Sequence, residues 1–420
     1  MKKVLFIFLF CLCSFLTAKE KTIEKSLSNP VIVEKKARQE HKFIKANGML
    51  FLKGKIKIEK NISIPIVFLI DTGSATSSLI YDGTQEYQDY FNYVIDGIDY
   101  CLCNVEFESF HVNNLYLYKN TSSAKELKQI FSDTPFFGIL GNDVLMNKSF
   151  FLSITKGYFK WIEGFEFSNK DKVIVPLLDR IHSKRGTLDC YQYTIYIQDD
   201  YFKSDENDVP VFGFFNSPDN SKSRYYIDTG TYYIATSLLD LFYQVKKHNY
   251  PAIFYKTEIE TKTGFCLIKD ADYLGKQFSE LSVCAGYTPE LIKSFGYQIL
   301  GAFDIYFDKE KTNVVQKIYL SPVDEKDYES FREENDNSYY FHSSTYGFKF
   351  SALNGRVNQK AFLNEKEMIK ELETGDMIIS INGIPVEKVN EFELPDEITI
   401  QYKKRSGKVK GIRVKKVKLK

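Results

Sequence analysis

The tripeptide Asp-Thr-Gly occurs twice in this chain, each time directly after a run of apolar, β-branched or aromatic residues typical of a strand. The first copy is Asp71–Gly73 and the second is Asp228–Gly230. An Ile-Leu-Gly triplet follows each copy, ending at Gly141, 70 residues after Asp71, and at Gly301, 73 residues after Asp228. One Asp-Thr-Gly would mean little, because Asp and Gly both favour turns after strands. The recurrence of both motifs at matched spacing predicts two homologous lobes.

The composition favours a globular, mainly β chain. Its 420 residues are enough for about two to four domains. Hydrophobic residues make up 44% and charged residues 26%, which argues against disorder, and an aromatic content of 15% suits strands. The formal net charge of +1 argues against a nucleic-acid partner for the whole chain. The charge is uneven, since ten Lys or Arg and no acid lie between Lys403 and Lys420.

Local patterns add further elements to each predicted lobe. Residues 150–162 and 304–320 have the alternation of a β-hairpin, the first with its turn at Lys156-Gly157. Short helices are expected after each Asp-Thr-Gly and after each Ile-Leu-Gly. A further helix is expected from about Glu365 to Leu372, and strands are expected over 397–403 and 411–417.

The two ends of the chain and an acidic segment set the domain boundaries. The apolar run from Val4 to Leu16, preceded by Lys2 and Lys3, is typical of a signal peptide and is short for a membrane span. The acidic, polar stretch after residue 323 is typical of a linker. We therefore predict a signal peptide (1–18), a tether or propeptide (19–42), an N-terminal lobe (43–165), a C-terminal lobe (166–323), a linker (324–337) and a small β/α domain (338–420).

The signal predicts an exported protein, periplasmic or secreted, with no integral membrane span once the signal is removed; a single N-terminal membrane anchor is the alternative. Export places the chain where disulfides are permitted. An odd number of cysteines remains, so at least one is free or pairs between chains, and we expect buried thiols. These cysteines are Cys101, Cys103, Cys190, Cys266 and Cys284.

The repeated motif supplies two carboxylates, those of Asp71 and Asp228. Two carboxyl groups held at close range cannot both ionise comfortably, so the pair loses its protons in two steps. The ionised member can take a proton from water, and the protonated member can donate to a scissile carbonyl. This pattern predicts amide hydrolysis by activated water, with no metal and no organic cofactor. Neither His-Glu-x-x-His nor Gly-x-Ser-x-Gly occurs, which argues against a zinc peptidase and a serine hydrolase.

The residues beside each carboxylate suit the same arrangement. Gly73 and Gly230 carry no side chain, so another backbone can come close. The hydroxyls of Thr72 and Thr229 are candidates to lock one turn to the other. Those of Ser74 and Thr231 are candidates to donate to the adjacent carboxylate.

With these motifs, residues 43–322 resemble the pepsin and retropepsin-like aspartic peptidases. The resemblance implies a bilobed, mainly β, pepsin-like acid protease fold, with Asp71 and Asp228 as the catalytic pair. It also implies an extended polypeptide substrate in a cleft beneath a hairpin flap, for which Gly97 and Gly264 are candidate tips, each at a turn. The longer motifs of pepsin itself are missing, which favours the retropepsin-like branch with two lobes fused in one chain. Such a chain needs no dimer for activity.

The C-terminal segment resembles a PDZ domain through Leu372-Glu-Thr-Gly-Asp-Met-Ile-Ile-Ser-Ile-Asn-Gly-Ile-Pro-Val386. That resemblance implies a groove for a C-terminal peptide ligand beside the strand formed by Tyr346, Gly347, Phe348, Lys349 and Phe350. The alternative is a small β-domain that only packs against the peptidase. For the whole chain, the alternative to an endopeptidase is a catalytically inactive protein that binds peptides in the cleft and the PDZ groove.

Overall fold

The structure is a computed structural model in which most of the chain beyond residue 29 is described. The described residues are 22–23, 29–46, 48–59, 62–81, 85–95, 97–121, 125–166, 172–174, 177–180, 191–198, 222–231, 234–237, 241, 245, 250, 252–257, 263–286, 294–309, 315–336, 344–350, 355–363, 366–389 and 394–418. The fold is mainly β, as predicted. The predicted signal peptide and Cys190 lie outside the described residues.

Short strands make up most of the described chain. The first sixteen are β1 (Thr22–Ile23), β2 (Val31–Glu34), β3 (His41–Lys42), β4 (Ile44–Ala46), β5 (Met49–Glu59), β6 (Ile62–Ile70), β7 (Ser78–Ile80), β8 (Tyr93–Ile95), β9 (Ile98–Phe107), β10 (Phe110–Asn120), β11 (Phe136–Leu140), β12 (Phe150–Ser153), β13 (Tyr158–Trp161), β14 (Lys172–Ile174), β15 (Leu177–Arg180) and β16 (Tyr191–Gln198).

The second half continues the same pattern. Its strands are β17 (Lys222–Ile227), β18 (Ile234–Ser237), β19 (Ala252–Thr257), β20 (Thr263–Tyr273), β21 (Lys276–Gly286), β22 (Ser294–Phe295), β23 (Phe303–Asp308), β24 (Lys317–Pro322), β25 (Ser344–Thr345), β26 (Phe348–Phe350), β27 (Val357–Leu363), β28 (Lys366–Glu367), β29 (Met377–Ile381), β30 (Ile384–Pro385), β31 (Glu397–Lys403), β32 (Val409–Lys415) and β33 (Val417–Lys418). The α-helices with described bounds are α1 (Lys125–Ile130), α2 (Asn142–Leu145), α3 (Tyr297–Leu300) and α4 (Glu325–Asp336), and the described 3₁₀ turns cover Gln85–Tyr90 and Val386–Lys388. Leu241 and Val245 are also α-helical.

The chain divides into two compact units. The first unit comprises residues 1–194, 228–230 and 304–321, so it contains both Asp-Thr-Gly turns. One of its sheets runs β1-β8-β9-β10-β7-β11-β6-β5-β4, with β2 paired to β10, and the other runs β14-β24-β23-β12-β13-β3. The predicted hairpins at 150–162 and 304–320 are confirmed in the second of these sheets.

The second unit comprises residues 195–227, 231–303 and 322–420. Its main sheet follows the order β17-β22-β18-β21-β20-β19-β27-β26. A four-stranded sheet, β30-β29-β31-β32, lies at the C-terminal end of the chain. Its inward side chains, among them Ile378, Ile400 and Tyr402, form a buried cluster with Val357 and Leu372.

The strand connections around each Asp-Thr-Gly repeat one topology. In the first copy, β6 leads into the turn, pairs in parallel with β11, and β11 pairs antiparallel with β7. In the second copy, β17 pairs in parallel with β22, and β22 pairs antiparallel with β18. The hairpin β9–β10 has its counterpart in β20–β21, and β8 has its counterpart in β19. The internal repeat predicted from the motifs is therefore present at the level of topology.

Several local predictions are wrong. A strand separates each Asp-Thr-Gly from the helical residues that follow it, since β7 precedes the 3₁₀ turn Gln85–Tyr90 and β18 precedes the helical Leu241 and Val245. The segment predicted as a linker contains α4, whose Tyr328 and Phe331 are buried. The helix expected from Glu365 is absent over residues 366–372, because Lys366–Glu367 pairs with β27.

Candidate active site

The first Asp-Thr-Gly forms a turn at the end of β6. The backbone N–H of Asp71 donates to the carbonyl of Leu140 at the end of β11, at 3.1 Å. The N–H groups of Gly73 and Ser74 donate to Oδ1 of Asp71 at 2.8 and 3.1 Å. The turn therefore holds Oδ1 of the Asp71 carboxylate in place.

The second turn shares the hydrogen bond from the glycine N–H to the carboxylate. Asp228 follows the end of β17, and the N–H of Gly230 donates to its Oδ1 at 2.9 Å. As whole residues, both aspartates are half-buried.

The two threonines join the turns reciprocally, as predicted. The N–H of Thr72 donates to Oγ1 of Thr229 at 3.0 Å, and the N–H of Thr229 donates to Oγ1 of Thr72 at 3.1 Å. The Thr229 hydroxyl in turn donates to the carbonyl of Ile70 at 2.8 Å. Both side chains are buried, so these bonds have no competing water and fix the two turns face to face.

Each glycine lies directly against the carboxyl group of the opposite turn. A Cβ on Gly73 would lie 2.6 Å from Cγ of Asp228, and a Cβ on Gly230 would lie 2.6 Å from Cγ of Asp71. Real side-chain carbons do not come that close, so only glycine permits the approach. The sequence thus brings Asp71 and Asp228 together as predicted.

The pKa of Asp71 is raised well above its ordinary range. Burial is the largest cause, followed by the charge of Asp228 and a side-chain hydrogen bond with it, while the N–H groups of Gly73 and Ser74 oppose the shift. A carboxyl group placed in this way stays protonated at pH values where an exposed aspartate has lost its proton. The pair can therefore hold one shared proton.

A buried polar network behind the first turn was not predicted. Asn142 donates its side-chain amide to the carbonyl of Thr72 at 2.8 Å. Oδ1 of Asp143 accepts from the N–H and the hydroxyl of Ser77 at 3.0 and 2.7 Å, and the Ser77 hydroxyl accepts from the N–H of Gly141 at 3.0 Å. Burial raises the pKa of Asp143 to about 6. The available signal was the polar pair Asn-Asp directly after Ile-Leu-Gly.

The second Ile-Leu-Gly does not match the first in structure. Gly141 precedes α2, and the N–H of Asn142 donates to the carbonyl of Ser74. The equivalent bond in the second copy runs from the N–H of Tyr297 to the carbonyl of Thr231, at 2.7 Å. The counterpart of Gly141 is therefore Gly296, 68 residues after Asp228, whereas Ile299 and Leu300 lie inside α3.

The hydroxyl of Ser74 has a different partner from the one expected. It donates to the carbonyl of Thr76 at 2.9 Å, and the backbone N–H of Ser74 contacts Asp71 instead. For Thr231, a hydrogen bond from its hydroxyl to Asp228 stays a prediction.

The two candidate flap glycines lie in different settings. Gly97 has a φ of +79° between β8 and β9, whose residues Ile95 and Ile98 pair, so it occupies a hairpin turn. Gly264 lies inside β20, paired with Ala285, which corrects the expectation of a turn there. Substrate contact by either glycine stays a prediction.

Part of the segment 346–350 forms a strand, β26, which pairs antiparallel with β27. Phe348, Lys349 and Phe350 form β26, and the half-buried Tyr346 and the buried Gly347 precede it. Gly347 has a φ of +90°, and its carbonyl accepts from the N–H of Ala361. Among the described strands, β27 is the one partner of β26, so its other edge has no strand beside it.

Other candidate sites were sought among the described residues. No cluster of three His, Cys, Asp or Glu side chains there could hold a metal ion. Cys101, Cys103, Cys266 and Cys284 are buried, in agreement with the expectation of buried thiols. Within that same part of the chain, no helix has the length and apolar character needed to cross a bilayer.

Comparison with known proteins gives matches among solved structures only. No protein-family model and no curated protein match the chain. An aspartic proteinase from Irpex lacteus is 11% identical, covers 68% of this chain and 98% of its own, and has a TM-score of 0.39. Basic 7S globulin from soybean is 9% identical, covers 75% of this chain and 100% of its own, and has a TM-score of 0.36. At scores this low neither likeness bears on the function, which rests on the geometry of the site.

Proposed function

We propose that the chain is an aspartic endopeptidase of the pepsin-like, retropepsin-related type, with Asp71 and Asp228 as its catalytic pair. The reciprocal packing of the two Asp-Thr-Gly turns carries this proposal, because each glycine lies against the other turn's carboxyl group. Two turns with only a structural role would not need a glycine at both positions to bring the carboxyl groups together. The site would be complete within one chain.

The proposed mechanism begins with one proton on the pair, held on the Asp71 side by its raised pKa. The ionised carboxylate takes a proton from a water molecule, whose oxygen attacks the carbonyl carbon of the peptide. The protonated carboxyl donates its proton to the carbonyl oxygen, so a neutral gem-diol forms. The carbon–nitrogen bond then breaks as the nitrogen receives a proton from one carboxyl and a diol hydroxyl returns its proton to the other. The pair ends with one proton, as it began.

Single substitutions of the carboxylates test this proposal. We expect Asp71→Asn and Asp228→Asn each to lower the rate of casein cleavage at least about a thousandfold, because the one carboxyl group that remains cannot act as general base and as proton donor in the same step. The fold should persist, as judged by an unchanged circular dichroism spectrum. Asp133→Asn, at an exposed carboxylate, serves as the matched control and should retain activity.

The same assay separates the endopeptidase from the peptide-binding alternative. Peptide binding by the unaltered chain without new fragments at any pH from acid to neutral would favour the inactive binder. Full activity in either Asn variant would contradict the mechanism. Inhibition by a statine-type peptide that mimics the gem-diol is also expected from the enzyme.

For the C-terminal residues 338–420 we propose a PDZ-like role in recruiting a polypeptide or partner. The edge of β26 that has no strand partner, preceded by the left-handed Gly347, supports this role, because an extended peptide can add there as a further strand. We expect the chain to bind a labelled peptide that has a free C-terminal carboxylate. We expect Gly347→Val to weaken this binding. We further propose that the protein is exported, on the basis of its N-terminal sequence alone.

A further inference from the structure

The four-stranded sheet β30-β29-β31-β32 has an outer face that nothing in the proposed function uses. On β31 alternate residues are buried and exposed, so Thr399, Gln401 and Lys403 point away from the core. Lys403 pairs with Met377 on one side and with Val409 on the other. Met377 is 38% exposed and Val409 is 49% exposed, so two aliphatic side chains flank a lysine in one row.

The same end of the sheet carries more apolar surface and more positive charge. Ile379, at the irregularity in the pairing of β29 with β31, is 39% exposed. The turn that joins β31 to β32 adds the exposed Lys408. We call this set, Met377, Ile379, Lys403, Lys408 and Val409, the basic end of the sheet.

The two lysines of the basic end are not neutralised within the protein. In the part of the chain that the structure describes, no carboxylate pairs with Lys403 or Lys408. The neighbouring cations, in contrast, have carboxylate partners. Lys404 contacts Glu373 and Asp376. Arg413 and Lys415 both contact Glu397. Protection of an edge strand against pairing explains a lysine on β32, but it does not explain exposed Met377 and Ile379 on an inner strand.

We propose that the basic end of the sheet binds the surface of an anionic lipid bilayer. Uncompensated lysines complement a negative headgroup layer, and long lysine stems let aliphatic neighbours reach the boundary of the acyl chains while the ammonium groups stay in water. A single-stranded nucleic acid is a poorer fit, because its bases would stack on aromatic side chains and the basic end has none. The occupant is thus an anionic membrane, which would place the C-terminal domain at a lipid surface.

Flotation of the full chain with lipid vesicles tests this proposal. Vesicles of phosphatidylcholine alone measure the background, including any contribution of the apolar N-terminus, and vesicles that also contain phosphatidylglycerol measure the anionic increment. We expect Lys403→Gln with Lys408→Gln to reduce that increment roughly 25-fold, at about fivefold for each cation removed. The matched control is Lys370→Gln with Lys388→Gln, two exposed lysines of the same unit outside the sheet, which should bind as the unaltered chain does.

A second variant tests the apolar part of the surface. Met377→Gln with Val409→Gln leaves the charge unchanged and should weaken vesicle binding severalfold at every salt concentration. Three results would overturn the proposal: no anionic increment, an equal loss in the lysine control, or full binding in the apolar variant. The last result, or tighter binding to a soluble polyanion such as heparin or an acidic protein than to vesicles, would assign the lysines to another partner.

Discussion

At the scale of single residues, the site depends on two positions where a side chain is absent. Gly73 and Gly230 each leave room for the carboxyl group of the opposite turn, and the reciprocal threonine bonds hold the turns at that distance. The position of the carboxylates is therefore set by the backbones of both turns together. A change at one glycine acts on the aspartate of the other turn.

This coupling gives the first prediction. Gly230→Ala puts a Cβ 2.6 Å from Cγ of Asp71, so the turns must separate, and we expect a loss of cleavage of at least about a hundredfold, the usual effect of misplacing catalytic groups. The measurement is kcat/KM on a peptide substrate. Gly411→Ala is the matched control, because its Cβ would lie 3.8 Å from the carbonyl oxygen of Ile400, an ordinary contact, and its activity should be unchanged.

The sequence predicted these residue roles well where the chemistry left one choice. Only glycine allows the close approach, and the threonine hydroxyls were expected to join the turns. Ser74 was a harder case, because its hydroxyl and its N–H both reach acceptors, and the short local bond to Thr76 is formed instead. A preference between two nearby acceptors depends on backbone angles that the sequence does not specify.

At the scale of elements, the first unit includes strands from the region predicted as a tether or propeptide. β2 pairs with β10, and β3 pairs with β13, so cleavage after Lys42 would remove both strands. His41 on β3 is fully buried, contacts the Ser109 hydroxyl at 2.7 Å and lies 3.3 Å from a carboxylate oxygen of Glu34. Its ring also packs against those of Phe110, Phe159 and Trp161.

This setting predicts an acid-sensitive contribution to stability. Burial lowers the pKa of His41 to about 4 from an unfolded value of 6.5, so the folded state favours the neutral ring. The contribution of His41 to the free energy of unfolding is complete above pH 6.5, decreases as the pH falls towards 4, and is lost below pH 4. The whole decrease is roughly 3 kcal/mol. The test compares the free energy of unfolding at pH 7 and pH 4.5 in the unaltered chain and in His41→Gln.

The variant should lose less stability than the unaltered chain between those two pH values, although it starts lower at pH 7. Glu34 has a raised pKa through burial, so its own contribution runs in the opposite direction and remains in both proteins. An equal change in the two proteins would contradict the role assigned to His41.

Element-level predictions failed where packing decided between similar patterns. Ile299-Leu300-Gly301 matched the first triplet in letters, but the structural role needs only a short strand, a glycine and a helix, and Ser294-Phe295-Gly296 provides them. The residues from 366 looked helical, but pairing with β27 overrides that local preference. In the acidic segment, Tyr328 and Phe331 lie one helical turn apart and were the signal for α4.

At the scale of the whole molecule, the C-terminal domain is built into the second unit. β27 pairs with β19 over five residues, from Ile253 opposite Leu363 to Thr257 opposite Gln359. β19 pairs in turn with β20, the strand of the long hairpin of this unit. Ile253 and Ala361 are both buried at this junction. The sequence marked the C-terminal residues as a separate domain, but it carried no sign that a lobe strand and a domain strand share one sheet.

Because β19 and β27 share one sheet, we expect their backbone amides to gain and lose protection from hydrogen exchange together. The N–H of Ala361 donates to Gly347 on the β26 side, so the N–H of the next residue, Phe362, faces β19. Phe362→Pro removes that donor from the ladder, and we expect hydrogen exchange at the amides of 252–257 to accelerate at least about tenfold, the equivalent of one lost backbone hydrogen bond. Mass spectrometry of exchanged peptides provides the measurement, with the β31–β32 hairpin as an internal control that should stay protected. If the 252–257 amides kept their protection in this variant, the two parts would be held together by other contacts, and the domain would be a separable module as the sequence suggested.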